Sequence, residues 1–136
     1  MAEHNINFCD LKIPDILEER IWDRAKSLVN RNGYILDEVV NDFEKSFASY
    51  SESSYCVGVA TGCDALLWAM EALGIGKGDE VITVANTFIG TILPILRAGA
   101  TPVLVDCDPQ TQQIDFAQVE AAVTARTAAI VPVHLY

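Results

Sequence analysis

Leu17, Ile21, Ala25 and Leu28 recur at three- and four-residue steps and predict a helix over 13–30 with one buried stripe. Arg31-Asn32-Gly33 breaks that period. Val40, Phe43, Phe47 and Tyr50 then form the apolar face of a second expected helix over 37–50, followed by a polar connector at 51–54. From residue 55 the apolar positions become continuous over short runs. YCVGVA (55–60), KGDEVITVA (77–85), TPVLVDCD (101–108) and AAIVPVH (128–134) read as strands. Between them, 61–75, 86–100 and 116–124 read as turns leading into helices. Asp115 is the expected cap of the last helix, with Gln118 as its capping-box partner.

Continuously apolar strands belong to sheets covered by helices on both faces. The alternation of strand and helix predicts an α/β fold with a mostly parallel, doubly wound sheet and flanking helices. The change of pattern divides the chain into an N-terminal helical segment, 1–54, and an incomplete α/β segment, 55–136. The sequence stops directly after the fourth expected strand, and the two N-terminal helices want something further to pack on. The expectation is therefore a piece of a larger domain.

Composition narrows the partners. Nine Lys and Arg stand against nineteen Asp and Glu, a net charge of −10. That balance offers no basic footprint for nucleic acid and disfavours anionic membranes. Apolar stretches are too short to span a bilayer, and no basic and apolar leader opens the chain, so a cytoplasmic location is expected. Cys9, Cys56, Cys63 and Cys107 show no C-x2-C spacing and no local His, so no metal site is expected. Cys56 and Cys107 fall in expected strands and read as core thiols.

Three places can carry chemistry. In VATGCDALL (59–67) a strand ends, a glycine turns and a helix begins. The first-turn amides of Gly62, Cys63 and Asp64 suit a phosphate. The run is neither G-x-G-x-x-G nor a P-loop, and spacing alone favours a plain turn capped by Thr61 or Asp64. In NTFIGT (86–91), Asn86 or Thr87 can cap the next helix, and Phe88 falls near the C-terminal sheet edge where ligands of α/β folds bind. Phe88 either covers a planar ring or tucks under the helix. Asp106, Asp108 and His134 also lie at strand ends; the aspartates read most simply as turn caps, and a lone His is a weak signal.

Taken in order, GYILDEVVNDFEKSFASY (33–50), the run from GVATGCDALL through GKGDEVI and NTFIGT to VLVDCD (58–108), and TARTAAIVPVHLY (124–136) are jointly distinctive. This chain resembles the N-terminal third of the DegT/DnrJ/EryC1/StrS family of pyridoxal 5'-phosphate (PLP)-dependent aminotransferases, which act mainly on nucleotide-linked keto-sugars. The resemblance implies a fold-type I aminotransferase large domain and a homodimer. It implies that Gly62, Cys63 and Asp64 hold the cofactor phosphate and that Phe88 stacks on its ring. Gly33 and Tyr34 match a segment near the active-site entrance, and His134 and Tyr136 match a strand end beside the cofactor pocket. Cys63 departs from the threonine common in the family, keeping the amide but replacing a hydroxyl by a weaker thiol donor.

The family's aspartate for the pyridine nitrogen and its cofactor-binding lysine lie beyond the matched region. Lys12, Lys26, Lys45 and Lys77 do not match that lysine, so the resemblance places no catalytic residue in these 136 residues and predicts no transamination by them alone. The whole protein is expected to take a nucleotide-sugar and an amino donor. Two alternatives stay open: a PLP-dependent sugar dehydratase of the same family, with histidine in place of the lysine, and a truncated, non-catalytic structural or regulatory protein.

Overall fold

The structure is a computed structural model, and it describes residues 11–35 and 37–135. Tyr136 and Cys9 lie outside the described residues. The chain divides into two compact units, Met1–Gly58 and Val59–Tyr136.

The first unit carries α1 (Asp15–Asn30) and α2 (Glu38–Tyr50). Both end in the same way. The residue after the C-cap, Asn32 or Glu52, takes a positive φ, and the next amide bonds back to the helix: Gly33 N–H to Leu28 O and Ser53 N–H to Ala48 O, each at 2.9 Å. These left-handed caps satisfy carbonyls that the last turn leaves unpaired. Asp37 starts α2 by accepting the Val39 N–H at 3.1 Å, and it also pairs with Arg31. The stripe expected to be buried on α1 is not covered: no residue of α1 is buried, and Ile16, Ile21 and Trp22 are exposed. On α2 the Phe43, Phe47 and Tyr50 rings contact one another in sequence but remain exposed. Helical period fixes which residues share a face; it does not supply the partner that buries the face.

One expected element is absent. Residues 55–60 have no strand ladder, and Tyr55 and Val57 are exposed. The three strands of the sheet all come from later in the chain, and this run pairs with none of them. Cys56 is therefore not a strand residue.

The second unit contains α3 (Gly62–Ala72), β1 (Glu80–Val84), α4 (Ile92–Arg97), β2 (Thr101–Val105), α5 (Phe116–Ala122) and β3 (Thr127–Val131). The strands form one parallel sheet in the order β2-β1-β3, with β1 in the middle. All five residues of β1 are buried, and their side chains alternate between two cores. Val81 joins Met70, Ile75, Ile95 and Ala100 beneath α3 and α4. Ile82 and Val84 join Val105, Ile114 and Val119 beneath α5. Helices thus cover both faces, the α/β arrangement expected. β2 and β3 are more exposed than their apolar sequences predict, because each has a neighbour on one side only. Gly74 and Gly99 follow α3 and α4 at positive φ and allow their abrupt left-handed stops.

Local details adjust two further expectations. α4 does not start at Asn86 or Thr87; a 3-10 turn, Ile89–Thr91, precedes it, and neither side chain caps the helix. Starting at Ile92 puts Pro94 in the first turn, where its missing N–H breaks no helical bond. Asp115 does cap α5, accepting from Ala117 and Gln118 amides. Gln118, however, donates to the Asp115 carboxylate and accepts the Asp106 N–H, while Asp115 N–H bonds to Asp106 O. The capping box is opened to tie α5 to the end of β2. Cys107 lies beyond β2, in an isolated bridge with Ile114.

Candidate functional site

The parallel sheet sends the chain segments after β1, β2 and β3 to the same edge, the usual ligand-binding edge of such folds. The segment after β1 carries Phe88, and the segment after β3 carries His134. The start of α3 packs against the first of these.

α3 begins on Thr61, whose extended backbone and side chain cap the helix. Thr61 Oγ1 accepts the Asp64 N–H at 3.1 Å and donates to Asp64 Oδ2 at 2.8 Å. Asp64 Oδ1 lies 3.7 Å from Arg97 Nη1 on α4. The expectation of three free amides is thus reduced: the Asp64 amide is taken by Thr61. Gly62 and Cys63 remain as first-turn donors without intrahelical partners. Apart from its chain neighbours and its own helix backbone, no described atom lies within 4 Å of the place where a Gly62 Cβ would be, so the backbone there is open to a close approach. Open space, unpaired amides and the positive end of α3 fit an anionic group such as a phosphate. Arg97 and Thr61 engage the Asp64 carboxylate, which offsets a negative charge at the margin of that position.

Cys63 reaches across to the segment after β1. Its Sγ donates to Gly90 O at 3.4 Å. Phe88 follows an extended backbone, precedes the 3-10 turn and is 72% exposed, so its ring is not tucked under α4. Thr91 N–H bonds to Phe88 O at 2.9 Å, and Thr87 Oγ1 lies 2.9 Å from Thr91 Oγ1. The turn is therefore held by its own bonds. Gly62, Cys63 and Phe88 belong to one locality.

His134 is exposed, and its Nδ1 lies 3.2 Å from Gln113 Oε1. Asp108 is a turn cap: Oδ1 accepts from the Gln110 and Thr111 amides at 2.9 and 2.8 Å. Those amides, Thr111 first, hold its carboxyl below the ordinary range. Asp106 Oδ1 accepts the Cys107 N–H at 2.8 Å. Among the described residues no cluster of three or more His, Cys, Asp or Glu side chains has metal-binding geometry.

Gly33 and Tyr34 belong to the first unit. Gly33 supplies the amide that closes α1, and a Cβ there would collide with the Asp37 carboxylate. Tyr34 is exposed, with its hydroxyl 3.5 Å from Val29 O. Sequence reasoning missed Gly90; the short TFIGT turn placed it two residues after Phe88, which was the available signal.

A helix-covered parallel sheet, with an open helix start and an exposed aromatic near its C-terminal edge, places the chain among α/β proteins. The chain belongs to the DegT/DnrJ/EryC1/StrS aminotransferase family, whose pattern matches residues 15–136. It is 47% identical over 132 residues to the dTDP-3-amino-3,6-dideoxy-alpha-D-galactopyranose transaminase of Aneurinibacillus thermoaerophilus, covering 96% of this chain and 36% of that relative. Among solved structures, S. venezuelae DesV matches at TM-score 0.80 and 39% identity, over 89% of this chain and 34% of DesV. NtdA from Bacillus subtilis, with bound cofactor PMP, matches at TM-score 0.86 and 35% identity, over 91% of this chain and 28% of NtdA. The chain spans about a third of the length of the curated relatives it matches. Among the described residues no helix is long and apolar enough to cross a membrane.

Proposed function

We propose that this chain is the N-terminal portion of a PLP-dependent aminotransferase that transfers an amino group to a nucleotide-linked keto-sugar. The observation that carries the reading is the pairing of an open helix start at Gly62 and Cys63 with the exposed Phe88 ring beside it. Gly62 and Cys63 would hold the cofactor phosphate through their amides. Asp64 would act indirectly, by fixing Thr61 and Arg97 around the helix start. Phe88 would cover one face of the pyridine ring and keep water from it. Gly33 and Tyr34 are proposed to belong to a segment near the active-site entrance, and His134 and Tyr136 to a strand end beside the cofactor pocket. Bound PLP supplies the electron sink for amino-group chemistry.

The lysine that carries the cofactor and the aspartate that meets its ring nitrogen are assigned to the chain beyond residue 136. A homodimer and a cytoplasmic location complete the proposal. Keto-sugar specificity is supported by relatives such as the galactopyranose transaminase above.

Titration of PLP into the full-length apoprotein, followed by absorbance, tests the cofactor assignment. Subsequent addition of candidate amino donors and dTDP-linked keto-sugars tests the transfer. The proposal expects saturable PLP uptake and an aminated nucleotide-sugar product. It also expects Phe88→Ala to raise the PLP Kd about fivefold, since one aromatic contact is worth roughly 1 kcal/mol. PLP uptake without any amino transfer would favour the dehydratase alternative, and no uptake would refute the assignment.

A further inference from the structure

We infer that Gly90 positions the Phe88 ring, and that it does so by lacking a side chain rather than by its backbone freedom. The inference rests on the proposed cofactor role of Phe88. Gly90 is not among the residues at positive φ, so alanine is compatible with its backbone. What alanine lacks is room. A Cβ built on Gly90 lies 2.7 Å from Cys63 Sγ and 2.7 Å from both Cδ1 and Cε1 of Phe88. Such separations are far inside ordinary carbon and sulfur contact distances.

Two side chains therefore occupy the space above one glycine. The sulfur comes from the α3 start and bonds to Gly90 O. The ring comes from the same turn as Gly90. The contact links the proposed phosphate cradle to the proposed ring cover. It also gives a physical setting for the cysteine at position 63, since its sulfur sits where a larger residue at 90 would have to be.

The two neighbours do not yield equally. Cys63 is half-buried at the start of a capped helix, whereas Phe88 is largely exposed. A methyl group at position 90 is accommodated by swinging the Phe88 ring outward and by turning the Cys63 thiol about its own Cα–Cβ bond, which leaves the Cys63 amide in place. The fold is then little affected, while the ring loses its place. Gly90 is a positioning residue that acts through Phe88, so its effect must vanish when Phe88 is absent.

The test is a double-mutant cycle in the full-length protein with PLP as the probe. Wild type, Gly90→Ala, Phe88→Ala and the double variant are compared by PLP Kd, by induced circular dichroism of the bound cofactor, and by apoprotein melting. Expected are a Kd raised by Gly90→Ala to about the level of Phe88→Ala and an altered dichroic band. The double variant should bind no worse than Phe88→Ala alone, and the Gly90→Ala apoprotein should melt like wild type. An unchanged Kd and dichroic band in Gly90→Ala, or losses that simply add in the double variant, would overturn the inference while leaving wild-type PLP binding intact. Failure of wild type itself to take up PLP is a different result: it removes the functional reading, and this inference with it.

Discussion

Removing the Thr61 hydroxyl should loosen the start of α3 by an amount that can be stated beforehand. Thr61 Oγ1 makes two bonds to one residue, accepting the Asp64 N–H at 3.1 Å and donating to Asp64 Oδ2 at 2.8 Å. Thr61→Ala deletes both, and Thr61→Ser keeps both. Loss of such a cap costs about 1 kcal/mol. The helix start is exposed, so water replaces part of the loss and no larger figure is warranted. A local opening equilibrium shifted by that amount speeds amide exchange about fivefold. Hydrogen exchange by mass spectrometry on the full-length apoprotein reads it directly, in peptides covering 61–72. Thr61→Ala should exchange about fivefold faster there, by the same conversion, with peptides across β1 unchanged. Thr61→Ser should track wild type. Equal exchange in Thr61→Ala and wild type would show that Thr61 does not hold the helix start, and would remove the reason for assigning Asp64 an indirect role.

Two further outcomes follow from the second unit. Ile95 is fully buried between α4 and the sheet, so Ile95→Ala should destabilise the protein by about 2–5 kcal/mol, seen as an earlier denaturant midpoint. The Glu80 carboxylate accepts from Thr124 Oγ1 at 2.6 Å and from Arg126 Nε at 3.0 Å, and these bonds, Thr124 first, hold its pKa below the ordinary 4.5. A lowered folded pKa contributes stability above the unfolded value and loses it as pH falls through the folded one. Wild type should therefore exceed Glu80→Gln in denaturant midpoint at neutral pH, with the gap closing on acidification below that range. A gap independent of pH would contradict the assignment.

The sequence exposed the architecture where burial comes from neighbours close in the chain. β1, α3, α4 and α5 pack on one another within the second unit, so their apolar patterns match what is observed. The run at 55–60 reads as a strand by composition, yet a ladder depends on pairing with another strand, which composition does not encode. The same applies to α1, whose periodic stripe is correct as a helix signal and uncovered as a surface. Cap chemistry was partly legible: Thr61 and Asp115 cap as their residue types suggest. The diversion of Gln118 toward Asp106 depends on where β2 ends in space. At the candidate site, Cys63 and Phe88 were visible as separate motifs, and their meeting at Gly90 required chain 27 positions beyond Cys63 to fold back onto it.

We propose that Gly62, Cys63 and Phe88 form the cofactor cradle of a protein whose cofactor-bearing lysine lies elsewhere in the chain. Borohydride reduction of the full-length protein with PLP, followed by peptide mapping, tests it most directly. Cofactor should be found fixed to one lysine outside residues 1–136. Absence of any fixed cofactor, or its attachment specifically to Lys12, Lys26, Lys45 or Lys77, would contradict it.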